Sequence, residues 1–592
     1  MQSFHEIIQH IRSTSLHAKQ AGTRFEVLIQ RWFLATPLYH VKKAWLWADF
    51  AHAIDKNATD LGIDLVLEMN DGKFWAVQCK FYQKDTRVDE NMVSHFLGHQ
   101  GWKFCPPDLH PPAPLSVNGE GGEVTFSRFV WVDTDAVWNK NAEEYVHGRD
   151  NFTRIGMDIL ASSNVDWDAL YRGLPASVPP KKLRDYQSEV LKRCEAHFKN
   201  HERGKVVMAC GTGKTLTSQR IAEAIAGTKG SLVLYCVPSI ALLGQTYQSW
   251  AENAFDPQDE SKPAPLFAIG VCSDNKAMEK AKKKGFGLDL TDETAIDSVL
   301  PPTTSVTSVK DRLLAAQKMK REGMTVVFTT YQSLHVVAGA QELVLSETNG
   351  EFGVFDMIIC DEAHRTTGAA KEGLETSFMK VHDNGFIQAK KRLYMTATPR
   401  IYGVNAKSEA KKITADAVVC SMDDEAIYGQ EITRISFGQA VNLGCLSDYK
   451  VIILTVDPKD LPPSVVEKFE DKDKKEIDLP TATRLVGAIH GLSKQLIGDG
   501  GRTLAEDPKP CTRALVFATK IGSVDEIGTS KNIEAIFPTV SKLYLDAKSY
   551  EEKQKFVSIE ARHVDGGMNT SERNGILAWL GEDEVYPKSR TV

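Results

Sequence analysis

Between residues 200 and 400, short runs of apolar residues alternate with amphipathic stretches. The clearest runs are Ser231-Leu232-Val233-Leu234-Tyr235-Cys236-Val237, Thr325-Val326-Val327-Phe328 and Phe355-Asp356-Met357-Ile358-Ile359-Cys360. Strands covered on both faces read this way, because neither side meets water, and with helices between them they predict a parallel α/β sheet. Residues 1 to about 165 carry a different pattern. A helix opening at Gly22-Thr23-Arg24-Phe25-Glu26 sets Phe25, Leu28, Ile29, Trp32 and Phe33 on one side. In Phe74-Trp75-Ala76-Val77-Gln78-Cys79-Lys80, a period of two puts Ala76, Gln78 and Lys80 on one face and Trp75, Val77 and Cys79 on the other. A further strand is expected over 126–132, after a Pro- and Gly-rich loop from Cys105 to Gly122.

The same pattern sets the domain plan. A first domain spans 1–165 and a linker 166–182, around Gly173-Leu174-Pro175 and Pro179-Pro180-Lys181. A parallel-sheet domain is expected over 183–430, with Asp256 to Pro302 as a polar, weakly periodic insertion. A second α/β unit over 431–592 has Arg513-Ala514-Leu515-Val516-Phe517 as its clearest strand. The fold class is α/β throughout.

Composition narrows the function. The chain has 592 residues, 42% hydrophobic and 25% charged, which suits a globular protein of several domains with real cores. No apolar run approaches the roughly 18 residues that cross a bilayer, and Met1-Gln2-Ser3-Phe4-His5-Glu6 lacks the form of a secretion signal. Ten cysteines are scattered with no Cys-x-x-Cys pair, which argues against a zinc cluster or a disulfide framework. A cytoplasmic location is expected. With a net charge of −7, nucleic acid is not drawn by the bulk field, so binding has to come from local grooves and oriented amides. Lys280 to Lys284 reads as a solvated helix face, and His5, His10 and His17 as surface histidines.

The segment Met208-Ala209-Cys210-Gly211-Thr212-Gly213-Lys214-Thr215 has the form of a phosphate-binding loop, although Met208 stands where the first glycine usually does. Glycines let backbone N–H groups wrap phosphates; Lys214 reaches the β/γ oxygens and Thr215 meets Mg²⁺. The apolar run Met357–Cys360 leads straight into Asp361-Glu362-Ala363-His364, 147 residues beyond Lys214 (361 − 214). Acidic residues at the carboxyl end of such a strand lie at the rim where open α/β sheets bind ligands. There Asp361 can hold the Mg²⁺ shell and Glu362 can deprotonate the attacking water. Leu393-Tyr394-Met395-Thr396-Ala397-Thr398-Pro399 brings two more hydroxyls to that rim.

In order and spacing, Leu183 to Pro399 resembles the superfamily 2 helicases and translocases. By that resemblance Leu183-Arg184-Asp185-Tyr186-Gln187 is the adenine-reading element, with Gln187 its contact. Gly211, Thr212, Gly213, Lys214, Thr215, Asp361, His364, Thr396 and Thr398 bind or respond to ATP·Mg²⁺. Val237-Pro238-Ser239 and Phe328-Thr329-Thr330-Tyr331-Gln332 resemble DNA-contacting motifs whose hydroxyls and helix N-termini would face phosphates.

In the first domain, Asp64 can meet Gln78 and Lys80 in one pocket, a set that holds a hard divalent cation and steadies a water. The constellation resembles the PD-(D/E)xK nucleases of the Mrr-like kind, in which Gln-x-Lys stands for Glu-x-Lys. This implies that Asp64, Gln78 and Lys80 are catalytic, with Asp64 and Gln78 on the metal and Glu26 a supporting acid.

Ala514-Leu515-Val516-Phe517-Ala518 and His563-Val564-Asp565-Gly566 with Glu572-Arg573 are similar to the opening motifs of the second motor domain. No Gln-x-x-Gly-Arg-x-x-Arg motif follows before Thr591-Val592, so weak hydrolysis and a C-terminally truncated second domain are expected. The order nuclease then motor looks most like type ISP restriction-modification enzymes, with an endonuclease-like domain followed by two RecA-like domains. The resemblance implies double-stranded DNA as partner, and methyltransferase and target-recognition domains outside this chain. A non-cleaving DNA-binding ATPase, a type I motor subunit and an inactive remnant are the alternatives left open.

Overall fold

A computed structural model describes residues 3–39, 41–54, 61–69, 72–83, 86–107, 123–134, 136–146, 149, 151–176, 178–256, 259–263, 266–272, 303–318, 323–371, 377–402, 417–449, 451, 456–470, 478–495, 509–518, 520–524, 526–565, 570–581 and 588–592. They form two compact units, the first running to Ser447 and the second starting at Asp448.

The first unit opens with the helix Phe4–Thr14, which Ser3 and Glu6 start as a reciprocal capping box. The next helix runs Ala18–Ala35, beginning four residues before the expected Gly22 because the His17 ring accepts the amide of Gln20 and caps it. It buries Phe25, Leu28, Ile29, Trp32 and Phe33, the face that the spacing predicts. Against it lies a mixed sheet in the order Val41–Leu46, Leu65–Met69, Phe74–Lys80, Val124–Asp133, Lys103–Phe104, with Phe152–Ile155 also paired to Val124–Asp133. Val77 and Cys79 pack into the core shared with the helix, and Phe74 and Ala76 into an aromatic core on the other face with Phe50, Phe96, Phe129 and Trp131.

The expected linker is shorter than its 166–182 span. Residues Trp167–Arg172 form a helix whose Trp167 ring lies 4.5 Å from Phe4. Arg31 donates to the carbonyls of Leu170 and Tyr171, both at 2.9 Å. Apolar Trp167 and Leu170 have core to cover, so the segment docks before the chain turns at Gly173, φ +76°. The loop expected at 105–122 lies mostly outside the described residues.

The rest of the first unit is built on seven parallel strands. Their order is Leu266–Val271, Met324–Thr330, Leu232–Val237, Met357–Cys360, Arg392–Thr396, Arg203–Met208 and Gln430–Ile435. Two members correct the sequence reading. Leu266–Val271, assigned to the polar insertion, is an edge strand in register with residues 324–329, its apolar run too short to outweigh the polar residues around it. Gln430–Ile435, expected to lead into the second unit, pairs with Arg203–Met208 and closes the first sheet. The basic stretch 280–284 lies outside the described residues.

One continuous core joins the N-terminal domain to this sheet. The helix Ile240–Asn253 makes the junction: Tyr247 donates to the Leu38 carbonyl at 2.5 Å in a buried site, and Asn253 accepts the Lys181 amide at 2.9 Å.

In the second unit, helices Pro463–Glu470, Leu479–Ser493 and Ser530–Asp546 pack through Val465, Val486, Ile489, Phe537, Val540 and Tyr544. Strands Arg513–Ala514, Lys588–Thr591 and Ser558–Ala561 form a parallel sheet in that order. The expected strand 513–517 therefore ends early. Beyond Ala514 the Val516 amide still donates to the Val592 carbonyl at 2.8 Å, but Phe517 is 92% exposed. His563 pairs with Glu534 at 2.6 Å, while Gly566 and the side chains of Glu572 and Arg573 lie outside the described residues.

Candidate active sites

In the N-terminal domain, Asp64 stands one residue before the strand Leu65–Met69 and is tied to the strand beside it. Its amide donates to the Val77 carbonyl at 2.8 Å, and its Oδ2 accepts the Cys79 amide at 2.7 Å. These bonds place the carboxylate beside the strand segment that carries Gln78 and Lys80. Gln78 is 6% exposed, and its Oε1 is buried without a hydrogen-bond donor. A buried acceptor left unpaired is costly. An oxygen-seeking divalent cation would satisfy it, with Asp64 supplying the anionic charge that an amide cannot. Gly62, φ +66°, makes room: a Cβ there would sit 3.2 Å from Gln78 Nε2.

Glu26 comes from the helix Ala18–Ala35. Its carboxyl is pushed up to about 7, first by burial and next by the charge of Asp64, with Lys80 pulling the other way. Glu26, Asp64 and Lys80 thus lie close enough to feel one another's charge, and Gln78 stands two residues before Lys80 on the same face of its strand. Clusters of three or more His, Cys, Asp or Glu suited to a metal do not occur among the described residues. The residues here differ from such clusters in including a neutral amide, that of Gln78.

The second site forms at the carboxyl ends of the parallel strands. The strand Arg203–Met208 runs into a loop whose Gly211 and Gly213 take φ +81° and +78°, and the helix Lys214–Ala226 follows. Left-handed backbone at both positions turns amides inward, toward the space a phosphate would fill. Gln187 braces the loop from behind: its Nε2 donates to the Thr212 carbonyl at 3.1 Å, and its Oε1 accepts the Arg184 amide at 2.9 Å. Tyr186, which sequence reading passed over, donates to the same carbonyl at 2.8 Å.

Lys214 Nζ lies 3.7 Å from Glu362 Oε1. Glu362 holds φ +47°, a strained conformation for a side chain of its size, and its amide donates to Asp361 Oδ1 at 2.9 Å. Asp361 is 6% exposed, and its carboxyl is pushed up to about 6, mainly by burial and then by the charge of Glu362. His364 reaches Thr396 Oγ1 at 2.9 Å and Glu362 Oε2 at 3.3 Å. Burial holds its ring below the usual histidine range, which favours the neutral form. Thr396 in turn accepts the Thr398 amide at 3.2 Å. Loop, acidic box and Thr396 therefore share one rim.

The expected DNA contacts divide. Ser239 caps the helix Ile240–Asn253, accepting the Leu242 amide at 3.4 Å. Thr329 and Thr330, by contrast, are 0% and 3% exposed. The Thr329 hydroxyl donates to the Thr330 carbonyl at 3.1 Å, and the Thr330 hydroxyl donates to Ser333 Oγ at 3.1 Å. Neither hydroxyl faces solvent, which corrects the reading of them as phosphate contacts. The two residues end a strand covered on both faces, so their hydroxyls find partners within their own turn.

A domain of restriction-endonuclease type followed by a helicase-type core is the class that the fold and these sites define. Family comparison agrees: residues 36–177 match a restriction endonuclease family of the Mrr kind, and residues 180–401 match the type III restriction enzyme res subunit. Among solved structures, the ATP-dependent type ISP restriction-modification enzyme LlaBIII bound to DNA is 29% identical, with a TM-score of 0.73, over 100% of this chain and 34% of that one. A nuclease-deletion mutant of the type ISP enzyme LlaGI with a DNA substrate mimic is 26% identical over 63% of this chain and 32% of that one, with a TM-score of 0.33. This chain thus spans about a third of the length of both. No curated protein matches it. The chain carries an Mrr-type nuclease domain and a superfamily 2 helicase domain in one polypeptide, with the fold of the type ISP restriction-modification enzymes.

Proposed function

We propose that the chain is the nuclease and motor portion of an ATP-dependent restriction enzyme acting on double-stranded DNA. Methylation sensing and target recognition are assigned to other domains or subunits. In the motor, the glycine loop and Lys214 would bind the phosphates, Thr215 and Asp361 would hold Mg²⁺, and Glu362 would orient and deprotonate the attacking water. The His364–Thr396 bond is the route by which the state of that water is felt outside the site. In the nuclease, Asp64 and Gln78 would hold Mg²⁺, whose chemistry when bound would be to polarise the scissile phosphate. Lys80 then steadies the attacking water and Glu26 accepts a proton.

The observation that carries this reading over a non-cleaving ATPase is the buried, unpartnered Gln78 Oε1, one residue before the Cys79 amide that holds the Asp64 carboxylate. A sheet face with no catalytic task gains nothing from a buried acceptor without a donor. The test is a pair of titrations on the full chain, Mn²⁺ by calorimetry and a fluorescent ATP analogue by anisotropy. Asp64→Ala should remove the nucleotide-independent Mn²⁺ site and leave ATP affinity intact. Lys214→Ala should do the reverse, lowering ATP affinity at least tenfold, since it removes a charge-assisted bond to phosphate. Mn²⁺ binding that survives Asp64→Ala would end the nuclease assignment.

A further inference from the structure

We propose that Arg154 is a positioning residue for the nuclease centre: it holds the buried carboxylate of Asp133 and so keeps that charge off Lys80, the neighbour of Asp133 in the sheet. The inference rests on the reading of Lys80 as the residue that steadies the attacking water. The strands Phe74–Lys80, Val124–Asp133 and Phe152–Ile155 run parallel, side by side. Lys80 pairs with Asp133; one row back, Gln78 pairs with Trp131, which pairs in turn with Arg154. Residues paired across a sheet project to one face, and so do residues two apart along a strand. Ala76 and Trp131 show which face this is, since both lie in the aromatic core. Lys80, Asp133 and Arg154 therefore stand on that face, on strands about 4.8 Å apart, and Asp133 has a cation on either side.

The bonds go to one cation only. Asp133 is 1% exposed; Arg154 Nε donates to its Oδ2 at 3.1 Å and Arg154 Nη2 to its Oδ1 at 3.3 Å. Trp138 Nε1 donates to Oδ2 as well, at 3.1 Å. The guanidinium is itself fixed, donating to the Ala136 carbonyl at 3.1 Å and lying 4.6 Å from the centre of the Trp138 ring. Among the described residues no ion pair joins Lys80 to Asp133. A planar guanidinium serves both carboxylate oxygens at once, which a single ammonium does not. Without Arg154 a buried carboxylate is left uncompensated, and the cation beside it is Lys80. An ammonium drawn onto Asp133 no longer points at the water of the nuclease centre. The Lys80 main chain stays in place, because its carbonyl accepts the Thr134 amide at 3.1 Å.

The experiment follows nicking of supercoiled plasmid by the full chain in Mg²⁺, in single turnover with enzyme in excess, and Mn²⁺ affinity by calorimetry. Arg154→Met removes the charge and keeps an apolar stem over Trp138. Its nicking rate should fall about tenfold, the scale of one bond to a charged group, while Mn²⁺ affinity stays within twofold. Adding Asp133→Asn removes the rival charge and should bring the rate back to within threefold of the unaltered chain. An ion pair with only a structural role gives the opposite result, since the double variant lacks it as fully as Arg154→Met does. A rate in Arg154→Met within twofold of the unaltered chain, or a double variant no faster than Arg154→Met, overturns the proposal. If Arg154→Met fails to bind the fluorescent ATP analogue and so has not folded, the double variant carries the test: nicking within threefold supports the proposal, and a tenfold loss overturns it. Lys80→Ala separates the two levels. If it nicks as fast as the unaltered chain, the reading of Lys80 fails and the proposal with it; if it abolishes nicking while Arg154→Met changes nothing, only the role of Arg154 fails.

Discussion

Glu26 and Asp64 share a half-buried pocket, and two carboxyls that close resist being charged together. Because Glu26 titrates near 7 in the folded chain against 4.5 ordinarily, it holds a proton at mildly acid pH. A cation at Asp64 and Gln78 favours the carboxylate form, so Mn²⁺ affinity should rise from pH 6 to about 8 and release protons near pH 6.5. Glu26→Gln should flatten that rise; calorimetry in two buffers of different ionisation enthalpy reads both effects, and a slope unchanged by the substitution would contradict the shared pocket. The stability sign follows from the raised folded value. The folded state binds the extra proton between pH 4.5 and about 7, so this group's contribution is lost as pH climbs through that window. That Gln78 and Lys80 share a face was legible in the sequence, because alternation along a strand fixes it, whereas Glu26 and Asp64 entered through the family resemblance. The raised carboxyl was not, since it depends on how deeply a helix from another segment seats Glu26. Nor was the bond from the Tyr331 hydroxyl to the Asp361 carbonyl, since a buried tyrosine just past an apolar strand looks like core.

Elements were legible where their periodicity was strong. The seven-stranded sheet follows from runs such as Leu232–Val237 and Met357–Cys360, and the P-loop from its glycines. Boundaries were lost where tertiary pairing decided them. Gln430–Ile435 is mostly polar, with Ile432 and Ile435 its only apolar residues, so only its partner Arg203–Met208 marks it as the seventh strand. Residues 515–517 have strand composition, yet the regular strand ends at Ala514. The P-loop gives a prediction at this scale. A Cβ on Gly213 would lie 2.5 Å from Gln187 Nε2, at a backbone φ of +78° that side chains seldom adopt. Gly213→Ala should therefore cost about 1–3 kcal/mol of stability and at least fivefold in ATP affinity, measured by urea unfolding and anisotropy. Unaltered affinity would mean that Gln187 does not brace a phosphate loop.

At the scale of the first unit, the nuclease domain and the seven-stranded sheet share one core, with Tyr247 bonded to Leu38 at the junction. They should unfold together. Tryptophan fluorescence and loss of nucleotide binding are expected to give one urea midpoint for this unit, and Tyr247→Phe should lower stability by about 1 kcal/mol, the usual worth of one buried hydrogen bond. Early melting of the nuclease domain alone would contradict a shared core. Among the described residues no helix is long and apolar enough to cross a membrane. The central claim is that one polypeptide joins a metal-dependent nuclease to an ATP-driven motor. Its most direct test is nicking of supercoiled plasmid by the full chain in Mg²⁺, compared with Asp64→Ala and Lys214→Ala. The account predicts nicking by the unaltered chain that EDTA and Asp64→Ala abolish, with Lys214→Ala keeping nicking but losing ATP binding. Nicking undiminished in Asp64→Ala, or none by the unaltered chain at any Mg²⁺ or Mn²⁺ concentration, would contradict it.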